Sequence, residues 1–423
     1  MSGPQTGRQS ALRTAAAGLI GNVLEWFDFA VYGYFSAAIG HQFFPKSNET
    51  AQQLLAFVVF ALGFAARPVG SIVLGRIGDR IGRRTLLTVS IALMGGATLG
   101  IGLLPNYATI GVAAPVLLVV LRLVQGFSLG GEFTGSMVYT TELASPLLRG
   151  LISSSTAAGT TIGFILGSIA VWGVTKGLGA EAAAEWGWRI PFVGSVLFCL
   201  AGWLLRRGIA ESEVGEKAKE HREPWFASLV ADWRPIAQTF GIVAMTNAAY
   251  YLTFTFAVER RKALMGEGGE VFQLANTISL VVVLISKPLG GWLSDRVGRR
   301  RLMISLTVAM MAIVYFSYRM LYGTPTEFVL GQVMLGVPIG MALGLQGAMV
   351  VEIFPVRSRV TSMSIAYSIA LALSGGTAPL VATWLIDQTG NLLAPAWYAM
   401  AFGAIGLAIM WPMQETNGRA LDT

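Results

Sequence analysis

The ten residues Gly75-Arg-Ile-Gly-Asp79-Arg-Ile-Gly-Arg-Arg84 return half a chain later as Gly291-Trp-Leu-Ser-Asp295-Arg-Val-Gly-Arg-Arg300. Each copy is short, basic and flanked by long apolar stretches, which points to a membrane protein made twice from one plan. A spanning helix needs about 20 mostly apolar residues. Twelve such stretches start near residues 14, 51, 85, 111, 151, 190, 236, 270, 301, 326, 361 and 395. Composition agrees, because 54% hydrophobic and 13% charged residues lie outside the range of soluble globular domains. The longest interruption, from about 208 to 235, is charged throughout and divides the stretches six and six. The expected architecture is all-α, with twelve transmembrane helices in two six-helix pseudo-symmetric bundles. Residues 1–207 form the first bundle, 208–235 a cytoplasmic linker, and 236–423 the second bundle.

Short loops rich in Lys and Arg stay on the cytoplasmic side. Arg76, Arg80, Arg83, Arg84, Arg149, Arg206, Arg207, Arg296, Arg299, Arg300, Arg301, Arg357 and Arg359 all fall on one side, together with both termini and the linker. The other side carries few: Lys46, Lys176, Arg189 and the discordant run Arg260-Arg-Lys262. Both termini are therefore expected in the cytoplasm, and the net charge of +7 reads as topology rather than as a nucleic-acid footprint. The first apolar stretch is too long for a signal peptide. Trp186 and Trp188 are expected in an aromatic belt that anchors the sixth helix, and the single Cys199 precludes an internal disulfide. No metal-ligand cluster and no nucleophile with a base partner is visible, so neither an enzyme nor a metal or cofactor is expected.

The repeat extends beyond the loops. Sliding the sequence by 210 places Arg122 on Gln332, Gly126 on Gly336, Gly130 on Gly340 and Glu142 on Glu352. Each of these two helices is followed by Glu, Pro and Arg: Glu142, Pro146 and Arg149, then Glu352, Pro355 and Arg357. Sliding by 225 pairs Asn22 with Asn247, Glu25 with Tyr250, Trp26 with Tyr251 and Asp28 with Thr253. Two halves of the same topological sense imply an axis along the membrane normal and a cavity between them, the layout of an alternating-access carrier.

The twin loops, with Arg122-Leu-Val-Gln-Gly126, resemble the signature motifs of the major facilitator superfamily. More narrowly, Gly21-Asn-Val-Leu-Glu-Trp-Phe-Asp-Phe29, Gly126-Phe-Ser-Leu-Gly-Gly-Glu132, Glu185-Trp-Gly-Trp-Arg-Ile-Pro191 and Gly375-Gly-Thr-Ala-Pro379 resemble its metabolite:proton symporter branch. The resemblance implies the major facilitator fold and proton-driven uptake of a small polar metabolite across a bacterial inner membrane. Citrate, other di- and tricarboxylates, 2-oxoglutarate, shikimate, and proline or betaine belong to that range. The implied partners are the metabolite, protons and the lipid bilayer, for a monomer with no cofactor beyond the proton gradient. It also implies a conformational latch in which Asp79, with Arg83, meets a neighbouring helix N-terminus, a contact the helix dipole favours. Asp295 is expected to do the same more weakly, with Glu142 and Arg149 in the same latch.

Ionisable groups inside a membrane are costly and usually functional. In the first helix Asn22, Glu25, Asp28, Phe29 and Tyr32 share an arc of roughly 120°, and the fourth helix contributes Arg122 and Glu132. Asp28 and Arg122 fall at one depth, so an ion pair between them is expected, opened by substrate or a proton, with Glu25 or Glu132 as a second protonatable site. Carboxylates are the proton carriers of choice because His41 and His221 both lie in loops. Each of these charges has a neutral counterpart in the second half, so coupling is placed in the first. The second half is expected to supply neutral contacts to substrate from Asn247, Tyr250, Tyr251, Gln332, Gln346 and Tyr367, alongside Arg122, Asn22 and Tyr32. Lys287 reads as snorkelling to the interface and Arg67 as a gate or ion-pair candidate. Arg122, Arg67 and Lys287 outnumber the charge Asp28 can neutralise, which favours an organic acid as cargo, with proline or betaine as the alternative. The glycines at 126, 130, 336, 340 and 344 recur every four residues, as small residues do where helices approach closely.

Overall fold

A computed structural model describes residues 22–45, 48–81, 83–130, 132–206, 225–266, 268–356, 358–419 and 421, apart from the side chains of 75–88, 132, 139, 143, 198, 201–206 and 225–227. The described chain is helical with no strand, and its helices follow the twelve apolar stretches. In the first half α1 comprises residues 22–34 and Ser36–Phe43, α2 Glu49–Ala65 with Arg67–Ile81, and α3 Arg83–Leu103. Next come α4, Ala113–Ser128 with Glu132–Leu143; α5, Arg149–Leu178; and α6, Arg189–Arg206. In the second half α7 comprises Trp233–Tyr251, a π-helical turn at Leu252–Phe256, and Ala257–Met265; α8 is Glu270–Val297 and α9 is Arg299–Leu321. α10 is Pro325–Ile353, α11 is Arg359–Leu371, a second π turn at Ala372–Gly376 and Ala378–Thr389, and α12 is Ala394–Met410. Among the described residues, eight helical stretches are long and apolar enough to cross a bilayer.

Local chemistry sets the ends. At the start of α10, Thr324 accepts from the Glu327 amide and Glu327 accepts from the Thr324 amide, with Pro325 at the first helical position. This reciprocal cap satisfies two amide groups that would otherwise lack partners. Trp188 departs from the expected belt: it is fully buried against Phe43 and Phe192, while Trp186 is exposed. Trp186 lies in a π turn at Ala183–Gly187 and Trp188 directly follows it; two residues apart on a helical segment, the rings point to opposite sides. In the Arg260 run Arg261 donates to the Gly323 carbonyl (2.7 Å), and Lys262 donates to Glu259 (2.7 Å) and, across the halves, to the Tyr34 carbonyl of α1 (3.0 Å).

The recurrent glycines bring backbones into contact. A Cβ at Gly126 on α4 would overlap the Gly63 carbonyl of α2, and one at Gly344 on α10 would overlap the Lys287 carbonyl of α8. Because the obstacle is backbone, neither helix can yield by rotating a side chain. Gly344→Ala is therefore expected to lower the melting temperature of the detergent-solubilised protein by at least about 5 °C, as overpacking does. Gly173→Ala, which meets nothing within 4 Å, is expected to leave it unchanged; equal melting curves would contradict this packing account.

α8 is shared between the halves, packing along α10 on one side and α5 on the other. The α5–α8 seam begins with Gly150 against Gly291. It ends with Ser168, which accepts from Gln273 Nε2 (2.7 Å) and lies 2.7 Å from the Thr277 hydroxyl.

Candidate functional site

A small cavity opens between the two halves. The first half lines it with Trp26 (α1), Phe133 and Met137 (α4), and Ala157, Thr160 and Phe164 (α5). The second half contributes Asn247, Tyr250 and Tyr251 (α7), Leu343 and Gln346 (α10), and Tyr367 (α11). Six of these are aromatic and they contact one another around the wall. Trp26 lies 5.9 Å from Phe133 and 6.0 Å from Phe164, Phe133 5.4 Å from Tyr367, Phe164 5.1 Å from Tyr250, and Tyr250 5.7 Å from Tyr251. Among the described residues the lining contains no charged side chain. Gln346 Nε2 donates to Tyr367 Oη (2.9 Å), which leaves the Gln346 carbonyl oxygen and the Tyr251 hydroxyl buried without a partner. The Tyr251 ring fits against α11 because Gly375 has no side chain; a Cβ there would stand 2.6 Å from the ring. π turns immediately follow Tyr251 on α7 and lie near Tyr367 on α11, and such turns are frequent at functional sites.

The structure places the second-half candidates Asn247, Tyr250, Tyr251, Gln346 and Tyr367 on the cavity wall, but it does not place Asn22, Tyr32, Arg122 or Gln332 in this lining. Gln332 donates to the Thr253 carbonyl (2.9 Å) and to Asn276 Oδ1 (2.9 Å), and Asn276 in turn donates to Tyr34 Oη (2.8 Å). These bonds tie α10, α8 and α1 together. Tyr32 donates to the Ala56 carbonyl (3.1 Å), while both polar atoms of the Asn22 side chain are buried without a hydrogen bond. Asn247 donates back to the Val243 carbonyl of its own helix (2.9 Å).

The charges of α1 form two linked nodes behind the wall. Glu25 pairs with Arg67 of α2, whose guanidinium is enclosed by Trp26 (5.2 Å), Phe29 (5.0 Å) and Phe64 (5.1 Å). Arg67 thus fills the ion-pair role. Asp28 does not make the direct ion pair expected with Arg122. Gln125 stands between them, its amide donating to Asp28 Oδ2 and its carbonyl accepting from Arg122 Nη1 (2.9 Å). Thr98 also donates to Asp28 Oδ2 (3.0 Å), and Oδ1 is buried with no hydrogen-bond partner. The reason is packing: Arg122 lies flat over the Tyr32 ring (3.8 Å) and near Phe29 (4.8 Å), which holds the guanidinium back from Asp28. Gln125 was legible in the Arg122-Leu-Val-Gln-Gly126 motif, one helical turn beyond Arg122.

Lys287 does not snorkel. It is fully buried and reaches across the seam to α5, donating to the Ala157 carbonyl and to Thr160 Oγ1 (3.0 Å). Its side chain turns into the α5–α8 seam rather than along the helix towards its end.

A polar clamp joins the halves on the face that carries the second basic loop. Asp295 accepts from the amides of Gly150 (2.8 Å) and Leu151 (2.9 Å) in the first turn of α5, and it also pairs with Arg299 (2.6 Å). The contact expected to be weak is thus a two-bond cap supplied by the opposite half. Arg149 pairs with Glu352 (3.3 Å), which also meets Arg299 (3.3 Å) and accepts from Thr416 (2.7 Å). Glu142 pairs with Arg359 (2.7 Å). The side chains of Asp79, Arg83 and Glu132, and Arg357, lie outside the described residues. Sequence reasoning missed Arg359 as a latch residue. Glu415, beyond α12, completes the clamp by accepting from the amides of Arg299 (2.6 Å), Arg300 (3.3 Å) and Asn417 (3.2 Å). Partial burial pushes its carboxyl up, but the surrounding amides outweigh that and hold it below the usual carboxylate range. The loop can pass so close to Glu415 because Gly298 takes a φ of 106° with no side chain in the way.

Twelve helices, a cavity walled by both halves and a clamp closing one face define a secondary carrier. Residues 14–223 match the family model described as sugar (and other) transporter, and residues 264–418 that of the major facilitator superfamily. A citrate-proton symporter of Klebsiella pneumoniae is 36% identical, over 95% of this chain and 92% of its own length. A proline/betaine transporter of Salmonella typhimurium is 31% identical, over 97% of this chain and 84% of its own length. The fold is shared with the proton:xylose symporter XylE bound to 6-bromo-6-deoxy-D-glucose (TM-score 0.78, 19% identity, 98% of each chain covered). The chain belongs to the major facilitator superfamily, among its proton symporters.

Proposed function

We propose that the chain is a proton-coupled uptake carrier for a small zwitterion of the betaine or proline type. The observation that carries this reading is the cavity wall of six aromatic rings, amides and hydroxyls, with no charged side chain among the described residues. Aromatic faces attract a substituted ammonium, whereas a citrate-type trianion calls for several cations at the wall. The cations that suggested an organic acid from the sequence are largely accounted for, since Arg67 meets Glu25 and Arg122 is joined to Asp28 through Gln125. A di- or tricarboxylate is the second reading, favoured by Lys287, a buried cation behind the wall that makes no salt bridge among the described residues.

In this reading Asp28 takes the proton at Oδ1, the oxygen without a hydrogen bond. The neutral carboxyl holds Gln125 and Arg122 less strongly. The change reaches the cavity along α1, because Arg122 touches Phe29 and Phe29 lies 6.2 Å from the wall residue Trp26. Glu25 and Glu132 are the secondary carboxylates, and Asp79 with Arg83 extends the clamp. The clamped face is cytoplasmic, with the carrier in a bacterial inner membrane and both termini inside.

Uptake of labelled glycine betaine into proteoliposomes with an imposed inward proton gradient tests the reading, with proline, citrate and succinate as competitors. Glycine betaine accumulation, inhibited by proline and not by citrate, is expected. Citrate-inhibited succinate uptake without betaine uptake would transfer the conclusion to the organic acids.

A further inference from the structure

We propose that Lys287 recognises the substrate carboxylate, forming with Thr160 a carboxylate subsite at the α5 side of the cavity. The inference rests on the preceding reading only in requiring a cargo that carries a carboxylate, which both substrate classes do. Lys287 is fully buried on α8, and its ammonium donates to the Ala157 carbonyl and to Thr160 Oγ1 (3.0 Å). Ala157 and Thr160 both line the cavity, so the charge stands immediately behind the wall. Thr160 donates its own proton to the Ala157 carbonyl (2.7 Å), which fixes its oxygen as an acceptor towards Lys287. An ammonium has three N–H donors, and two have partners here.

An ammonium held in the bilayer interior by only a carbonyl and a hydroxyl is poorly compensated. Among the described residues it makes no salt bridge, while Arg67 is paired with Glu25 and Arg122 is linked to Asp28 by Gln125. A carboxylate delivered into the cavity supplies the missing counter-charge. The offset between the twin loops places Ser71 at the matching position of the first half, so the cation occurs on one side of the cavity only. That asymmetry orients the ligand, with its carboxylate towards α5 and α8 and its remainder among the aromatic rings. The bonds from Lys287 to α5 also cross the seam between the halves, so engaging a carboxylate exchanges a cross-seam contact for a contact with cargo.

The test compares ligands that differ only in the carboxylate, using Lys287→Gln, which keeps a donor for the Ala157 carbonyl but loses the charge, and Lys287→Arg, which keeps the charge. Binding of glycine betaine and of choline to purified protein is measured by competition or calorimetry, and that of succinate and succinamide likewise. Lys287→Gln is expected to weaken betaine or succinate binding at least tenfold while choline or succinamide binding is unchanged, and Lys287→Arg to retain the preference. A purely structural Lys287 would lower the melting temperature and weaken both members of a pair equally; an unchanged ratio overturns the inference. If Lys287→Gln cannot be purified folded, Lys287→Met, which keeps the length and apolar stem but not the charge, decides in its place: loss of the carboxylate preference is expected, and an unchanged ratio overturns the inference. Wild-type protein that binds no carboxylate at all would instead overturn the functional reading.

Discussion

Asp28→Asn is expected to end concentrative uptake while exchange of labelled for unlabelled substrate across the membrane continues. One unit of pH difference supports at most about tenfold accumulation per proton; in the variant the internal concentration should stop at about the external one. The geometry explains why the two activities separate. Asparagine preserves an oxygen for the bonds from Thr98 and Gln125, so the packing around Arg122 survives. It cannot carry a proton in and release it. Exchange needs the cavity to face each side in turn but needs no net proton movement, and the wall residues are untouched by the substitution. Retained accumulation in Asp28→Asn would move the coupling site elsewhere, with Glu25 and Glu132 next to be tested. Loss of both activities would mean that Asp28 holds the first half together rather than carrying protons.

Glu352→Gln is expected to open the clamped face. Glu352 is almost fully buried and accepts from Arg149, Arg299 and Thr416 at once, so it joins α5, α9 and the segment after α12. Removing one partner of a buried charge cluster costs about 3 kcal/mol in the state that contains it, and the part of that carried by Arg149, which lies in the other half, shifts the equilibrium between the two states. In the state in which the halves part at this face Glu352 has already lost Arg149 and keeps only Arg299 and Thr416 of its own half, so the substitution costs less there. Spin labels at the exposed positions Leu148 and Val297, introduced with Cys199 replaced, should report a longer distance population in Glu352→Gln. Transport should fall, because return to the clamped state becomes slow. An unaltered distance distribution would show that the Asp295 cap on α5 is sufficient by itself.

The helices were legible because length and hydropathy act locally, and the candidate face of α7 was legible because a period of 3.6 residues puts Asn247, Tyr250 and Tyr251 on neighbouring positions. Depth within the membrane was also readable, and it placed Asp28 and Arg122 near one another. Which atom meets which was not readable. The flat seat of Arg122 on Tyr32, which hands the contact to Gln125, depends on how two helices rotate against each other. Lys287 was misread for a similar reason: its distance from the helix end suggested snorkelling, but its side chain is turned into the seam with α5, which distance along the axis does not reveal. Trp186 and Trp188 were placed together in one belt, although a spacing of two residues on a helix sends the rings to opposite sides. For Arg149, matching the prolines at 146 and 355 led to Arg357, whereas the shift of 210 residues that aligns the preceding helices leads to Arg359, the arginine that meets Glu142.

The clamp has one further implication. Glu352 lies 210 residues after Glu142 and Arg359 lies 210 residues after Arg149, yet each acid bonds the arginine of the other half. Residue i of one copy touches j of the other, and j touches i, which is the rule of an isologous interface between identical subunits. On this evidence the carrier is a homodimer in covalent form: two six-helix protomers could have met through this self-complementary patch before any linker joined them. Fusion then freed each copy to diverge, so that one came to hold Glu25 and Asp28 and the other Lys287.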